Sequence, residues 1–419
     1  MKTSLLKQTF ISLFSIAILS IFNTSNAKAQ SWWQENAQTQ ASFTNINFAD
    51  NNTGWVMGDS MNGALFVMPV LKKTINQGAN WSTQSFGSNL YKVKSSYFLS
   101  TTSGFVVGEY LVSGGGVILS TTNGGISWVA NDTFPERLMD IFFINSTTGW
   151  ACGRNGYMIK TTNGGGTWAV QNSNSPNHLF SVHFTDANNG WAVGPVGIIV
   201  HTFNGGTTWT LQTSPVLTED NFGVFALSSS TAFAVGSNGL MIKTINSGTT
   251  WTVVTVPTVD HIFDITFVSA TNGWAVGAAG NIEITADGGL TWTSQTSNTT
   301  NDIKSICMKN TGLGWYAGLT GTVYYYGFSP ASVNDLSFNY SVNVFPNPMI
   351  DASLIQIEGN NMNSWSLIIT DITGKKVRET NKISSSSFLI KRENFSAGTY
   401  LYSAYTKEGI IAYGKLIVQ

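Results

Sequence analysis

The sequence predicts an all-β chain: a seven-bladed β-propeller followed by a small β-sandwich. Three observations predict it. A motif recurs every 40 to 42 residues, closing on Trp128, Trp168, Trp209, Trp251 and Trp292. Each unit holds four short strand-like runs between Gly-rich turns, the pattern of a propeller blade. Composition agrees: Gly, Trp and Phe are abundant and charged residues make up only 10%, against roughly 25% in ordinary soluble domains.

Taken in order, residues 1–29 read as an export signal. Lys2 and Lys7 give a positive start, Phe10 to Phe22 an apolar run, and Ala27-Lys28-Ala29 a small-x-small cleavage site. That run is too short to span a bilayer, and no later segment is long and apolar enough, so no transmembrane segment is expected. A net charge of -1 and a pI near 6.4 give nucleic acid and anionic lipid nothing to attract.

The propeller is expected over residues 30–328. Its units run Gly-aromatic, a strand, Gly, a second strand, then Thr-x-Asn-Gly-Gly-x-Thr-Trp. Copies from Trp150 to Trp168, Trp191 to Trp209, Phe233 to Trp251 and Trp274 to Trp292 place the two aromatics 18 positions apart. In the fourth unit the strands are predicted at 179–184, 191–193, 197–201 and 208–212. The seventh unit starts at Gly314-Trp315 and lacks a closing Trp. Ser31-Trp32-Trp33-Gln34 resembles the missing strand, so the N-terminus should complete the last blade and remove an exposed sheet edge. Eleven of the 14 tryptophans occupy the two repeat registers; core packing between blades explains them without a cofactor.

The turn sequences Thr121–Trp128, Thr161–Trp168 and Thr285–Trp292 resemble the Asp-box of neuraminidase repeats, in which an Asx side chain caps a Gly-rich hairpin. At domain scale, Gly-Trp-Ala-Val-Gly followed by this turn resembles the photosystem II stability/assembly factor-like propellers. The resemblance implies the fold. Photosynthetic members use arginine-rich patches, and this propeller has only Arg137 and Arg154, so the assembly role does not carry over.

A linker is expected at 329–338 and a separate domain over 339–419. Here Pro346-Asn347-Pro348, then Asp371-x-x-Gly374-Lys375, then Gly398-x-Tyr400, then Lys415 near the terminus resemble the type A sorting domain of type IX secretion. The resemblance implies an immunoglobulin-like sandwich, the type IX machinery as partner, passage through the periplasm, and a place at the cell surface or in the medium. Alternation at 366–370 and 399–405 fits sandwich strands, with Gly374 in a turn.

Aligning the inner strands gives two columns. Asn45, Ser95, Asp140, Ser181, Gly223, Asp264 and Ser305 should line the central channel. Three positions earlier, Ser42, Lys92, Arg137, His178, Asp220, His261 and Asp302 should ring its mouth, either as polar loop residues or as a binding rim for a glycan or protein. Extra residues between strands two and three of blades 1 and 2 should form loops on the same face; the first contains Met61, Leu65, Phe66 and Met68.

No catalytic set is complete. A sialidase site needs three arginines for the sugar carboxylate. A glycoside hydrolase needs two carboxylates at fixed spacing; Asp140 and Asp264 share a register three blades apart. No metal-ligand spacing, nucleophile elbow or phosphate loop occurs. The sequence therefore favours a non-catalytic binding propeller without cofactor or metal, with a propeller-type polysaccharide hydrolase as the alternative. Cys152 and Cys307 lie blades apart, so they are expected as buried free thiols rather than a disulfide.

Overall fold

The computed structural model describes residues 30–62, 66–87, 91–110, 114–327, 340–359, 364–371, 374–393, 395–406 and 409–419. The export signal at 1–29, the linker at 329–338 and Leu65 lie outside the described residues. The chain forms two compact units, Met1–Pro330 and Ala331–Gln419.

The first unit holds seven four-stranded antiparallel sheets. Their inner strands are Ser42–Phe48, Tyr91–Phe98, Leu138–Phe143, Ser181–Phe184, Asn221–Ala226, Ile262–Phe267 and Ile303–Asn310. These neighbour one another in cyclic order, with Ile303–Asn310 against Ser42–Phe48. The last sheet draws its outer strand from the other end of the chain: Ser31–Gln34 pairs with Val323–Gly327, Trp32 opposite Tyr326. Trp32 Nε1 donates to Gln295 of the preceding blade at 3.0 Å. Trp209 and Trp251 do the same to Gln171 and Gln212, so Trp32 is the seventh closing Trp.

Aromatic rings hold blade against blade. The second-strand Trp of one blade stacks on the inner-strand Phe of the next: Trp55 on Phe98 at 3.6 Å, Trp150 on Phe184 at 3.6 Å, Trp315 on Phe48 at 3.5 Å. The closing Trp then meets that Phe edge-on, as Trp128 meets Phe98 and Trp209 meets Phe184. Such pairs contribute about 0.5–1.5 kcal/mol each beyond area burial. The Gly that faces the start of each inner strand has a separate cause. A Cβ added at Gly153, Gly194 or Gly277 would lie 2.0 Å from the carbonyl oxygen of Arg137, His178 or His261, so only Gly lets the strands meet at the mouth.

The Thr-x-Asx turns are built alike. Thr161 Oγ1 accepts the Gly165 N–H at 2.9 Å and Asn163 Oδ1 accepts the Thr167 N–H at 2.9 Å. Asn76, Asn123, Asn204, Asn246 and Asp287 repeat this.

Two expectations need correction. The insertion in blade 1 is a continuation of the sheet: Gly54–Asn62 pairs with Phe66–Thr74 out to Asn62 opposite Phe66, because ladder pairing satisfies the backbone N–H and C=O groups of the insert within the fold. In blade 2, Gly104–Tyr110 and Gly116–Thr121 are likewise longer partners. Of the cysteines, both are free, but only Cys152 is buried; Cys307 is half-buried. Cys307 lies two positions after Ser305 on the inner strand, opposite Trp315, a register that is half-buried on the other blades as well, as at Phe142, His183 and Thr266.

The second unit contains a three-stranded sheet, Tyr340–Phe345, Ala352–Gly359 and Ser387–Lys391. A four-stranded sheet holds Lys376–Ile383, Trp365–Asp371, Gly398–Thr406 and Gly409–Val418. Ile355, Ile357, Trp365, Leu367, Ile369 and Leu416 fill a common core. The spaced motifs meet here. Asn347, between Pro346 and Pro348, donates its amide to the Lys415 carbonyl at 2.8 Å and accepts from the Ile417 N–H at 2.8 Å. Asp371 accepts from the Lys375 N–H, and Gly374 takes positive φ beside it. Tyr400 follows Gly398, is buried, and donates to the Ser396 carbonyl at 3.0 Å.

Candidate functional site at the channel mouth

The inner strands build a funnel of three rings. At the outer ring, His178 Nδ1 accepts the Asn155 N–H and His261 Nδ1 the Asn238 N–H, each at 3.0 Å. Asp220 and Asp302 take the equivalent N–H groups of Val196 and Ala279. Each donating residue has positive φ, and the four acceptors fasten the hairpin of one blade to the inner strand of the next. Arg137 pairs with the buried Glu109 of blade 2, and Lys92 stands opposite Glu109 in the ladder. The charges of the outer ring are thus mostly engaged within the fold.

The innermost ring is the small and polar column read from the sequence, and it stitches blades together. Asp140 accepts four bonds: from Ser95 Oγ at 2.7 Å, Ile141 N at 2.9 Å, Ser181 Oγ at 3.1 Å and Val182 N at 2.9 Å. Asp264 accepts from Ile265 N at 2.8 Å and Ile306 N at 2.9 Å. Ser181 and Ser305 take the corresponding N–H groups of Val224 and Ile46. Burial pushes the Asp140 carboxyl up against these donors and raises Asp264 to about 6, with the Asp140 charge adding to the rise.

Between these rings stands a third that the column alignment missed: Thr44, Lys94, Met139, Phe180, Phe222, Phe263 and Lys304. In a regular strand these residues would point away from the channel, since neighbours alternate. A register shift between Leu138 and Asp140, and its counterparts in five other blades, inserts one residue. The bulge re-aims the extra side chain into the same cavity as its successor. The cavity holds about 140 Å³.

This middle ring is divided. On blades 4 to 6, Phe180, Phe222 and Phe263 run edge to edge with centroids 6.3 and 5.7 Å apart. His178 packs on Phe180, and His261 touches both Phe222 and Phe263. Two lysines stand in the same ring on blades 2 and 7. Lys304 Nζ lies 3.3 Å from the Phe263 centroid and 3.0 Å from Asp302. Lys94 Nζ has no hydrogen-bond partner among the described residues; burial, followed by the Lys92 charge, lowers its pKa while Asp59 and Glu109 oppose. Burial also raises Asp59 to about 6. A wider groove of about 630 Å³ follows the outer strand of blade 6 past Ser294, Gln295 and Thr299. None of its lining residues is charged or aromatic, so the channel mouth is the stronger candidate. Among the described residues, no group of three or more acidic, His or Cys side chains is placed to hold a metal, and no helix is long and apolar enough to cross a membrane.

Residues 130–259 and 249–324 match the family described as photosynthesis system II assembly factor YCF48, and residues 343–419 match the secretion system C-terminal sorting domain. No curated protein matches the chain. Among solved structures, YCF48 bound to a D1 peptide is similar at 18% identity and TM-score 0.58, over 71% of this chain and 97% of that one. YCF48 from Cyanidioschyzon merolae follows at 16% and 0.57, over 71% and 99%. An inactive virginiamycin B lyase from Staphylococcus aureus with quinupristin is similar at 14% and 0.57, over 71% and 99%. At these identities the likeness is one of fold.

Proposed function

From a β-propeller related to the photosynthesis system II assembly factor family, joined to a secretion system C-terminal sorting domain, we propose an exported, non-catalytic binding protein that presents its channel mouth to a glycan or protein. The export signal at 1–29 opens the route through the periplasm, and the sorting domain hands the chain to the type IX machinery for the cell surface or medium.

The observation that carries the non-catalytic reading is the state of the two channel carboxylates. A general acid or nucleophile must reach substrate with a free oxygen. Both oxygens of Asp140 are held by four donors, and both oxygens of Asp264 accept backbone N–H groups. Their bonds serve the blade junctions, which supports binding over hydrolysis. The half-buried Phe arc and Lys94 supply what a binding site needs: apolar surface and a half-buried ammonium.

The test is a screen of the purified secreted protein against glycans and envelope proteins, with reducing-sugar release measured in parallel. Saturable binding without release is expected. Turnover of any glycan refutes the reading in favour of a polysaccharide hydrolase.

A further inference from the structure

We propose that the channel mouth is an end-on site for a terminal uronate residue of an acidic glycan, its sugar face on Phe180, Phe222 and Phe263 and its carboxylate on Lys94 and Lys304. The inference rests on the binding reading above and gives that site its ligand chemistry.

Four observations carry it. The cavity of about 140 Å³ is well below the roughly 300–1,000 Å³ of pockets for drug-sized ligands, so it admits one ring and not a length of polymer. One wall is aromatic: three Phe side chains, all half-buried, form a continuous surface across blades 4 to 6. The π-faces of such rings carry negative quadrupole charge and attract the C–H face of a pyranose. Two lysines complete the ring on blades 2 and 7. Lys94 is half-buried beside Lys92, with Asp59 and Glu109 also acting on it, and an incoming carboxylate adds a charge-assisted bond. Lys304 stands at the edge of the aromatic wall, its ammonium over Phe263 and paired with Asp302.

The floor sets the orientation of the sugar. Below the middle ring lie Ser95, Ser181 and Ser305 with Asp140 and Asp264 among them, and their hydroxyls and carboxylates are bonded into the blade junctions. Two carboxyl groups there repel a like charge, so the ligand carboxylate turns up toward the lysines of the middle ring.

The experiment is calorimetric titration of the secreted protein with a galacturonate trisaccharide, the neutral galactose trisaccharide and a short peptide with a free C-terminal carboxylate. Uronate is expected to bind at least 10-fold tighter than the neutral sugar, with the difference shrinking at high salt. Lys94→Met should abolish that preference. Phe222→Ala should weaken both sugars at least 10-fold, with circular dichroism showing the fold intact. Equal affinity for the two sugars, or a uronate preference that survives Lys94→Met, overturns the proposal. Binding of the peptide alone overturns the choice of glycan. If another glycan or protein binds at sites that Lys94→Met and Phe222→Ala leave untouched, this proposal fails while the broader binding reading stands.

Discussion

Replacing Trp32 with Ala tests whether the N-terminal strand is a working part of the last blade. Trp32 is 1% exposed and packs on Tyr316 at 4.6 Å and Tyr326 at 4.8 Å. Its indole donates to Gln295, and its carbonyl accepts from Asn298 Nδ2 at 2.7 Å. Trp251 occupies the same station inside the chain, 5% exposed and bonded to Gln212 at 2.9 Å. Truncating a buried Trp to Ala costs about 3–5 kcal/mol. Gln295 Nε2 keeps its bond to the Tyr326 hydroxyl, while Gln295 Oε1 loses the indole donor. Trp32→Ala should therefore destabilise the propeller by about 3–4 kcal/mol, close to the effect of Trp251→Ala. Trp33→Ala is the control: its side chain is half-buried and bonds only the Gly327 carbonyl, so about 1 kcal/mol is expected. Urea unfolding followed by far-UV circular dichroism reads all three. A Trp32→Ala loss no larger than that of Trp33→Ala would refute the closing role of the strand.

Two further perturbations follow from groups the fold leaves unpaired. Val254 replaces the Gln that serves Trp209 and Trp251: its N–H bonds Met241 at 2.8 Å, as Gln212 N bonds Ile199 and Gln295 N bonds Ile282. The buried Trp292 Nε1 consequently lacks an acceptor. Val254→Gln should raise stability by about 1 kcal/mol, and Gln212→Val should lower it by about 1–3 kcal/mol, both read from unfolding midpoints. His201 is fully buried between Trp191 and Phe203 with both ring nitrogens unpartnered, and burial lowers its pKa to about 4. The unfolded chain takes up that proton near pH 6.5 and the folded chain does not, so stability falls as pH drops from about 6.5 to about 4. Allowing for screening, the loss is about 2 kcal/mol. His201→Phe should be more stable at pH 7 and should flatten this part of the melting-temperature profile; an unchanged slope would show that His201 is not the group responsible.

Much of the fold was legible because the repeat writes it several times over. A period near 40 residues, two aromatic registers and a Thr-x-Asx turn each have a direct physical cause in the structure: ring stacking between blades and a side chain capping its own hairpin. The N-terminal strand was legible for the same reason, since Ser31–Gln34 repeats a pattern already seen. The blade 1 insertion was misread because a loop and an extended hairpin share their apolar residues, and only cross-strand pairing separates them.

The site was legible in part, and the missing part has one cause. Strand alternation assigns each inner strand a single residue facing the channel, and that rule picked out Asp140 and Asp264. A bulge breaks alternation at one point and puts two consecutive side chains into the cavity. The residues so exposed are not the small polar ones that tie blades together. They are Thr44, Lys94, Met139, Phe222, Phe263 and Lys304, joined on blade 4 by Phe180, most of them too large or too charged for the tight inner ring. Six of the seven blades carry the shift, so it belongs to the repeat and answers the crowding of converging strands. Its consequence is a division of labour. The residue after the bulge is fixed by the need to bond the neighbouring blade, whereas the bulged residue makes no such bond and is free to vary from Thr to Phe to Lys around the ring. Ligand chemistry on this scaffold is therefore written at the bulge position, one residue before the column that alternation finds.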